Sequence, residues 1–387
     1  MPISYIKHAL LLLFTLGFSI SGFSADNVEE KRLKIAERRI PEVVSAFDPL
    51  LDQFKQQAKP IKSKKLLRQL VEDSSRQLWR LAVERMKKDE NLDDRALYWA
   101  RLSLRKIVKG WKRNKKLKEK MLQQYLDIIE RNTRGIFDIR FKDDADIKVL
   151  LTGFDPFFLD RFIGQSNPSG IAALWLDGKV FEHEGKTIAI ETAMIPVRYQ
   201  DFDEGMIESL LRPYFKQRKV DMIVTVSMGR EQFDLERFPG LRRSAKAPDN
   251  LNVYTGATPQ NPLAPLSNGK QLKGKEFVEF SLPVKAMLTI QSPYSVKDNH
   301  RVSTLEKTFE PKSLKQLEGQ TSVRGSGGGY LSNEISYRSI RLRNKLKSTI
   351  PVGHIHTPKI AGFDPKASKN IITQVKKMVL AGAASTK

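Results

Sequence analysis

Apolar residues recur at three- and four-residue spacing from about residue 26 to residue 142, and after Asp146 that period gives way to short, mainly apolar runs. No other feature limits the fold as much. A stripe with a period of about 3.6 residues packs as an amphipathic helix, whereas a bounded apolar run of roughly four to eight residues reads as a buried strand. In the first part Leu66, Leu67, Leu70 and Val71, then Leu78, Leu81 and Ala82, then Leu97, Ala100, Leu104, Ile107, Val108 and Trp111, then Leu117, Met121, Tyr125, Ile128 and Ile129 predict three or more helices. Asn91 to Asp94 reads as a loop that also caps the helix beginning near Asp94, and Trp79, Trp99 and Trp111 read as packing residues. In the second part residues 147–152, 188–195 and 222–226 predict strands and residues 204–215 a helix. That alternation implies an α/β fold with a largely parallel, doubly wound sheet, whose ligand crevice lies beyond the C-terminal ends of the strands. Residues 293–324, polar and lysine-rich, read as a long surface insertion.

A chain of 387 residues exceeds what one core usually covers, so the helical part, residues 25–145, and the α/β part, residues 146–387, are expected as separate regions. Behind Lys7 and His8, the uncharged run 9–20 is too short to cross a bilayer of about 30 Å but suits the core of a signal peptide. Gly22 and Ser24 supply the small residues for cleavage after Ser24, which predicts an exported protein, periplasmic or secreted; the alternative is an uncut anchor. An oxidising compartment traps or oxidises an unpaired thiol, and the chain contains no cysteine. Disulfides, thiolate metal sites and a cysteine nucleophile are thereby excluded.

The 67 Lys and Arg against 44 Asp and Glu give a net charge of +23, which suits contact with a polyanionic surface. The densest basic run, residues 105–120, needs no ligand if it is the solvated face of a helix, and nothing beyond charge marks a nucleic-acid binder. Five histidines without H-x-x-x-H spacing give no metal site, and no Lys-Ser or Lys-Thr follows the glycines of 325–329 as a phosphate loop requires. No metal or cofactor is expected.

Four stretches follow one another where strand-end loops should fall: GFDPF at 153–157 with NPS at 167–169, MGREQFDLER at 228–237 running on to APDN at 247–250, YLSNEISY at 330–337, and GHIHTP at 353–358. Together they resemble the pyroglutamyl peptidase I family. Its G-F-x-P-F loop, N-P-S, Gly-Arg, Glu-Arg and P-D-N elements are matched in order and interval through Gly229, Arg230, Glu236, Arg237, Pro248, Asp249 and Asn250, and residues 281–286 resemble its L-P-[VI]-K element. The resemblance spans roughly residues 149–358 apart from the 293–324 segment, and the helical N-terminal part has no counterpart in it. It implies a three-layer α/β/α open twisted sheet and removal of an N-terminal pyroglutamyl residue from peptides by a Cys, His, Glu triad. Glu236 and His356 stand at the family's Glu and His, and Ser332 stands where the family has its cysteine. Phe154 and Phe157 inherit the lactam pocket, with Asn167, Arg230 and Tyr330 as further substrate contacts. Phe158 and Leu159 replace a family Gly-Gly, and Leu241 replaces an expected asparagine.

Ser332, His356 and Glu236 are the residue types that acyl transfer requires, with His356 taking the Ser332 proton and Glu236 fixing the imidazole. This predicts a serine-type hydrolase of a peptide or small amide. The alternatives are a silent descendant that binds a peptide or ligand, and a basic binder of envelope polymer or nucleic acid. The plainer roles are an N-cap for Ser332, core packing for Phe154 and Phe157, an interior hydrogen bond for His356 or His354, and an ion pair with Arg237 or Arg243 for Glu236.

Overall fold

The computed structural model describes residues 25–88, 92–113 and 117–386. The signal-peptide residues, Asn91 and the Lys115–Lys116 pair lie outside them. Helices α1 (Val28–Arg39), α2 (Asp48–Ala58), α3 (Lys64–Lys88), α4 (Arg95–Arg113) and α5 (Glu119–Asn132) build the N-terminal layer. Asn27 opens α1 through a capping box with Glu30, each side chain bonding the other's backbone N–H at 2.9 Å. The apolar stripes bury Trp79, Trp99 and Trp111, the last stacked on Phe54 at 5.3 Å, so the tryptophans do pack the interior. The basic run departs from a purely solvated face. Lys118 and Lys120 are exposed, but Arg105 and Lys109 turn inward onto Glu30. Asp93, rather than Asp94, accepts the N–H of Arg95 at the start of α4.

Seven strands, β1 (Ile147–Phe154), β2 (Lys179–His183), β3 (Lys186–Ile195), β4 (Met222–Met228), β5 (Phe233–Glu236), β6 (Val296–Asn299) and β7 (Val352–Thr357), pair in the order β2-β3-β1-β4-β7-β5-β6. The central four, β3, β1, β4 and β7, are parallel. At the flanks β2 runs antiparallel to β3 and β5 antiparallel to β7, and β6 is parallel to β5. Helices α6 (Pro168–Leu176), α7 (Met206–Gln217), α8 (Leu331–Lys345) and α9 (Pro365–Ala384) cover the sheet in two pairs, α6 with α9 and α7 with α8, giving the three-layer α/β/α fold. Covered on both faces, the central strands are mainly apolar rather than alternating. The helical layer packs α3 onto α6, and one apolar core is continuous from Leu33 to Ala384.

Residues 293–324 are folded, not a loop. β6 extends the main sheet, and Val302–Thr304, Thr308–Phe309 and Ser322–Arg324 form a small sheet over a second core of Phe238, Phe277, Val302 and Leu317. Strands of two or three residues are too short to show the alternation by which a strand is read. Among the described residues, no helix is long and apolar enough to cross a membrane.

Candidate active site

Side chains two apart on a strand share a face, so β7 presents His354 and His356 together. In β4, Thr225 is the register partner of His354 and Ser227 that of His356. On the other side β5 places Asp234 opposite His356 and Glu236 one diagonal step away. His356 Nδ1 meets Glu236 Oε1 at 2.5 Å. The second carboxylate oxygen accepts from Asn299 Nδ2 of β6 at 2.9 Å, and that amide also donates to Ser326 O at 3.0 Å. Burial raises the pKa of Glu236 above the usual carboxylate range, and His356 pulls it back. Arg237 pairs with Asp298, and Arg243 with Glu334 and Asp203, so neither is the partner of Glu236. Gly229 is required by close approach, because a Cβ there would lie 2.6 Å from that of His356.

His354 is fully buried, with Thr225 Oγ1 at Nδ1 and Ser227 Oγ at Nε2, 2.8 Å each. Burial, then the neighbouring His356, pushes its pKa well below the usual histidine value. The two rings meet edge to face at 4.8 Å.

Helix α8 starts after the glycine-rich turn with Tyr330 as its N-cap and no side-chain cap. Ser332 therefore does not cap the helix; its Oγ donates to Gly327 O at 3.3 Å. It stands in the wall of a cavity of about 40 Å³ with Phe154, Phe157, Asn167, Val197, Ser227, Met228, Tyr330 and Leu331. The structure thus gathers Ser332, Phe154, Phe157, Asn167 and Tyr330 around one slot, and pairs His356 with Glu236 separately. Ser227 links the groups, as the register partner of His356 and a residue of the slot wall. Arg230 is exposed and outside that wall; it acts on the site only as a charge that lowers the pKa of Glu236.

Several motif side chains hold loops in place. Asn167 caps α6 by accepting from the Ser169 N–H and hydroxyl, and its Nδ2 donates to Asp155 O. Tyr330 donates its hydroxyl to Pro248 O at 2.7 Å, and Asn250 Nδ2 donates to Pro156 O at 2.9 Å. Phe158 has φ +61° and is 39% exposed, with its ring 4.5 Å from that of Phe157. This is the left-handed region that glycine adopts without cost.

The helical layer grips two of these loops at three points, the β1–α6 connection twice and the loop of Asn250 once. Arg101 Nη1 donates to both oxygens of Asp155 at 2.9 and 3.0 Å, and Arg134 adds a bond at 2.7 Å. Asp94 accepts from the Ser166 hydroxyl at 2.6 Å and the Asn167 N–H at 3.1 Å, while Arg32 donates to Asn250 O. Sequence reasoning missed all three contacts. Arg101 did carry a signal, since it lies four residues after Leu97 and three before Leu104, on the apolar stripe, where a charge demands a buried partner. Asn299 carried none, lying in the segment read as a loop.

Burial lifts the pKa of Asp94 to about 8, outweighing its hydrogen bonds from Ser166 and Asn167. Its unfolded value is about 4, so between these limits the folded chain keeps a proton that the unfolded chain releases. Asp94 therefore contributes a stability that falls as pH rises from about 4 to about 8 and is level above that. Urea unfolding across this range is expected to show the decline in the native protein and a flatter profile in Asp94→Asn; an identical slope in both would refute the assignment.

The sequence matches two family models, "PA0049 N-terminal domain" over residues 19–130 and "PA0049, C-terminal domain" over residues 148–278 and 289–361. An uncharacterized protein of that name from Pseudomonas aeruginosa is 28% identical over 391 residues, covering 77% of this chain and 71% of the relative. Among solved structures, a mutant pyrrolidone carboxyl peptidase from Pyrococcus furiosus is 19% identical, with 62% of this chain and 100% of that one covered and a TM-score of 0.44. Pyroglutamyl peptidase I of Bacillus amyloliquefaciens is 20% identical, with 62% and 99% covered and a TM-score of 0.41. Since the C-terminal model alone takes in more than half of the sequence, the chain belongs to the PA0049 family.

Proposed function

We propose that the protein is an exported hydrolase of the pyroglutamyl-peptidase kind, which cleaves an amide or peptide bond through Ser332, His356 and Glu236. The observation that carries this reading is the 2.5 Å contact between His356 and Glu236, next to a slot with Ser332 in its wall. With Nδ1 held by the carboxylate, His356 Nε2 is the atom that takes the Ser332 proton during attack on the carbonyl and returns it to the leaving amine. The attack requires Ser332 to turn away from Gly327 O. The first-turn N–H groups of Leu331, Ser332 and Asn333 have no intrahelical acceptor and no side-chain cap, so with the positive end of the α8 dipole they are oriented donors for an oxyanion. One such donor contributes about 3 kcal/mol. The apolar run behind Lys7 and the lack of cysteine support export.

The hydrogen bond from Ser332 to Gly327 favours one other reading, a catalytically silent protein that binds a ligand in the slot. A fluorophosphonate probe and a panel of N-terminally blocked peptides, pyroglutamyl peptides among them, separate the two. Labelling of Ser332 together with turnover is expected, and Ser332→Ala is expected to lower turnover by at least about 10³-fold. Neither labelling nor turnover leaves the binding reading. Ser332→Cys is expected to raise turnover, since a thiol at a helix N-terminus ionises more readily than a hydroxyl.

A further inference from the structure

We propose that Asn299 is a positioning residue of the site: its side-chain amide holds the Glu236 carboxylate against His356 and ties it to the turn that carries Ser332. The inference rests on the hydrolase reading and brings the 293–324 segment, which lies outside the motif resemblance, into the machinery.

Asn299 on β6 is the register partner of Glu236 on the parallel strand β5, so the two side chains leave the sheet on one face. Every polar atom of the amide is engaged. Oδ1 accepts the Arg301 N–H at 3.1 Å, which turns Nδ2 toward Glu236. One Nδ2 proton goes to Glu236 Oε2 at 2.9 Å and the other to Ser326 O at 3.0 Å. All three residues are buried.

For Glu236 the consequence is electrostatic. His356 occupies Oε1, and among the described residues Asn299 is the donor at Oε2. Burial disfavours the ionised carboxylate and Asp234 of the same strand adds to that, while His356 of β7 and Arg230 of the β4–β5 loop oppose it. A donor aimed at the second oxygen favours the ionised form too. The charged neighbour on β6, Asp298, faces Arg237 and His300 instead. For the turn the consequence is geometric. Ser326 directly precedes Gly327, whose carbonyl receives the Ser332 hydroxyl. Ser326 is also bonded to Phe238, two residues beyond Glu236, through its N–H at 3.0 Å and its hydroxyl at 2.9 Å. One neutral amide thus joins the carboxylate that orients His356 to the turn in front of the nucleophile.

The test uses Asn299→Leu, close in size and without a donor, and a pyroglutamyl aminocoumarin amide as substrate. The kcat is expected to fall about 10- to 100-fold, the worth of one hydrogen bond to a charged group. KM is expected to stay within a few-fold, because Asn299 is not in the slot wall. The acid limb of the kcat profile is expected to move to higher pH, since the ionised Glu236 has lost a donor. Asn299→Asp sets a second carboxylate beside the first and is expected to move the limb the same way; it carries the test if circular dichroism shows Asn299→Leu unfolded. An unchanged kcat, or a fall in kcat with the acid limb unmoved, overturns the inference and leaves the hydrolase reading intact. If the wild-type protein cleaves nothing, that reading fails, and NMR of ¹⁵N-histidine-labelled protein decides the inference alone. The His356 Nδ1 proton, held downfield by the charged carboxylate, is expected to leave that position on acidification at a higher pH in the variant than in the wild-type protein. The same pH in both overturns the inference.

Discussion

Asp155→Ala is expected to lower the free energy of unfolding by about 3–5 kcal/mol, read from urea or thermal denaturation. Asp155, Arg101 and Arg134 are all at most 2% exposed, and the carboxylate bonds both guanidinium groups. Removing it leaves two buried cations side by side. Arg134 keeps Glu130, but Arg101 falls back on the hydroxyl and carbonyl of Thr133, two neutral acceptors. Burial and Arg134 already lower the pKa of Arg101 with Asp155 present, so the loss falls mainly on Arg101. Asp155→Asn, which keeps the shape and loses the charge, is expected to lie in between. Combining Asp155→Ala with Arg101→Met should recover part of the loss, because the stranded cation goes too. An unchanged urea midpoint in Asp155→Ala would mean that this network does not join the helices to the first loop.

Glu236→Gln is expected to cut turnover of whichever amide substrate is found by about 10⁴-fold while the protein stays folded. The amide still fills the space between His356 and Asn299, but it no longer stabilises a cationic imidazole. Its nitrogen also competes for the ring atom that must keep its proton. The pH profile gives a second reading. Burial raises the pKa of Glu236 above the ordinary glutamate value, and the proposed mechanism uses the ionised form, so activity is expected to fall on acidification at a higher pH than an exposed glutamate would give. Native-like turnover in Glu236→Gln would remove the carboxylate from the reaction.

The central sheet was legible because its parallel strands are covered on both faces, which makes residues 147–152, 188–195 and 222–226 mainly apolar, with Lys148 and Glu191 the charged exceptions. The segments carrying Glu236, Ser332 and His356 were legible through motif order, and the structure then set Glu236 against His356 from two antiparallel strands. β6 was not legible: four residues, with Lys297 exposed between buried Val296 and Asn299, look like any polar turn. Yet this strand supplies the amide that holds Glu236. His354 was weighed only as an alternative to His356. Its role depends on Thr225 and Ser227, more than a hundred residues away, a relation that only strand register creates. The buried salt bridge was half visible for a similar reason: Arg101 lies on the apolar stripe and so asks for a buried partner, but nothing in the sequence names Asp155 as that partner until the helix and the loop meet.

Asp94, Arg101 and Arg32 bind two loops through three separate contacts, so the helical layer works as a mould for the slot's rim. Pairs joined in this way cannot drift independently through descent. Arg101 with Asp155 and Asp94 with Ser166 should be kept or exchanged as sets among family members, even where the surrounding surface has changed completely.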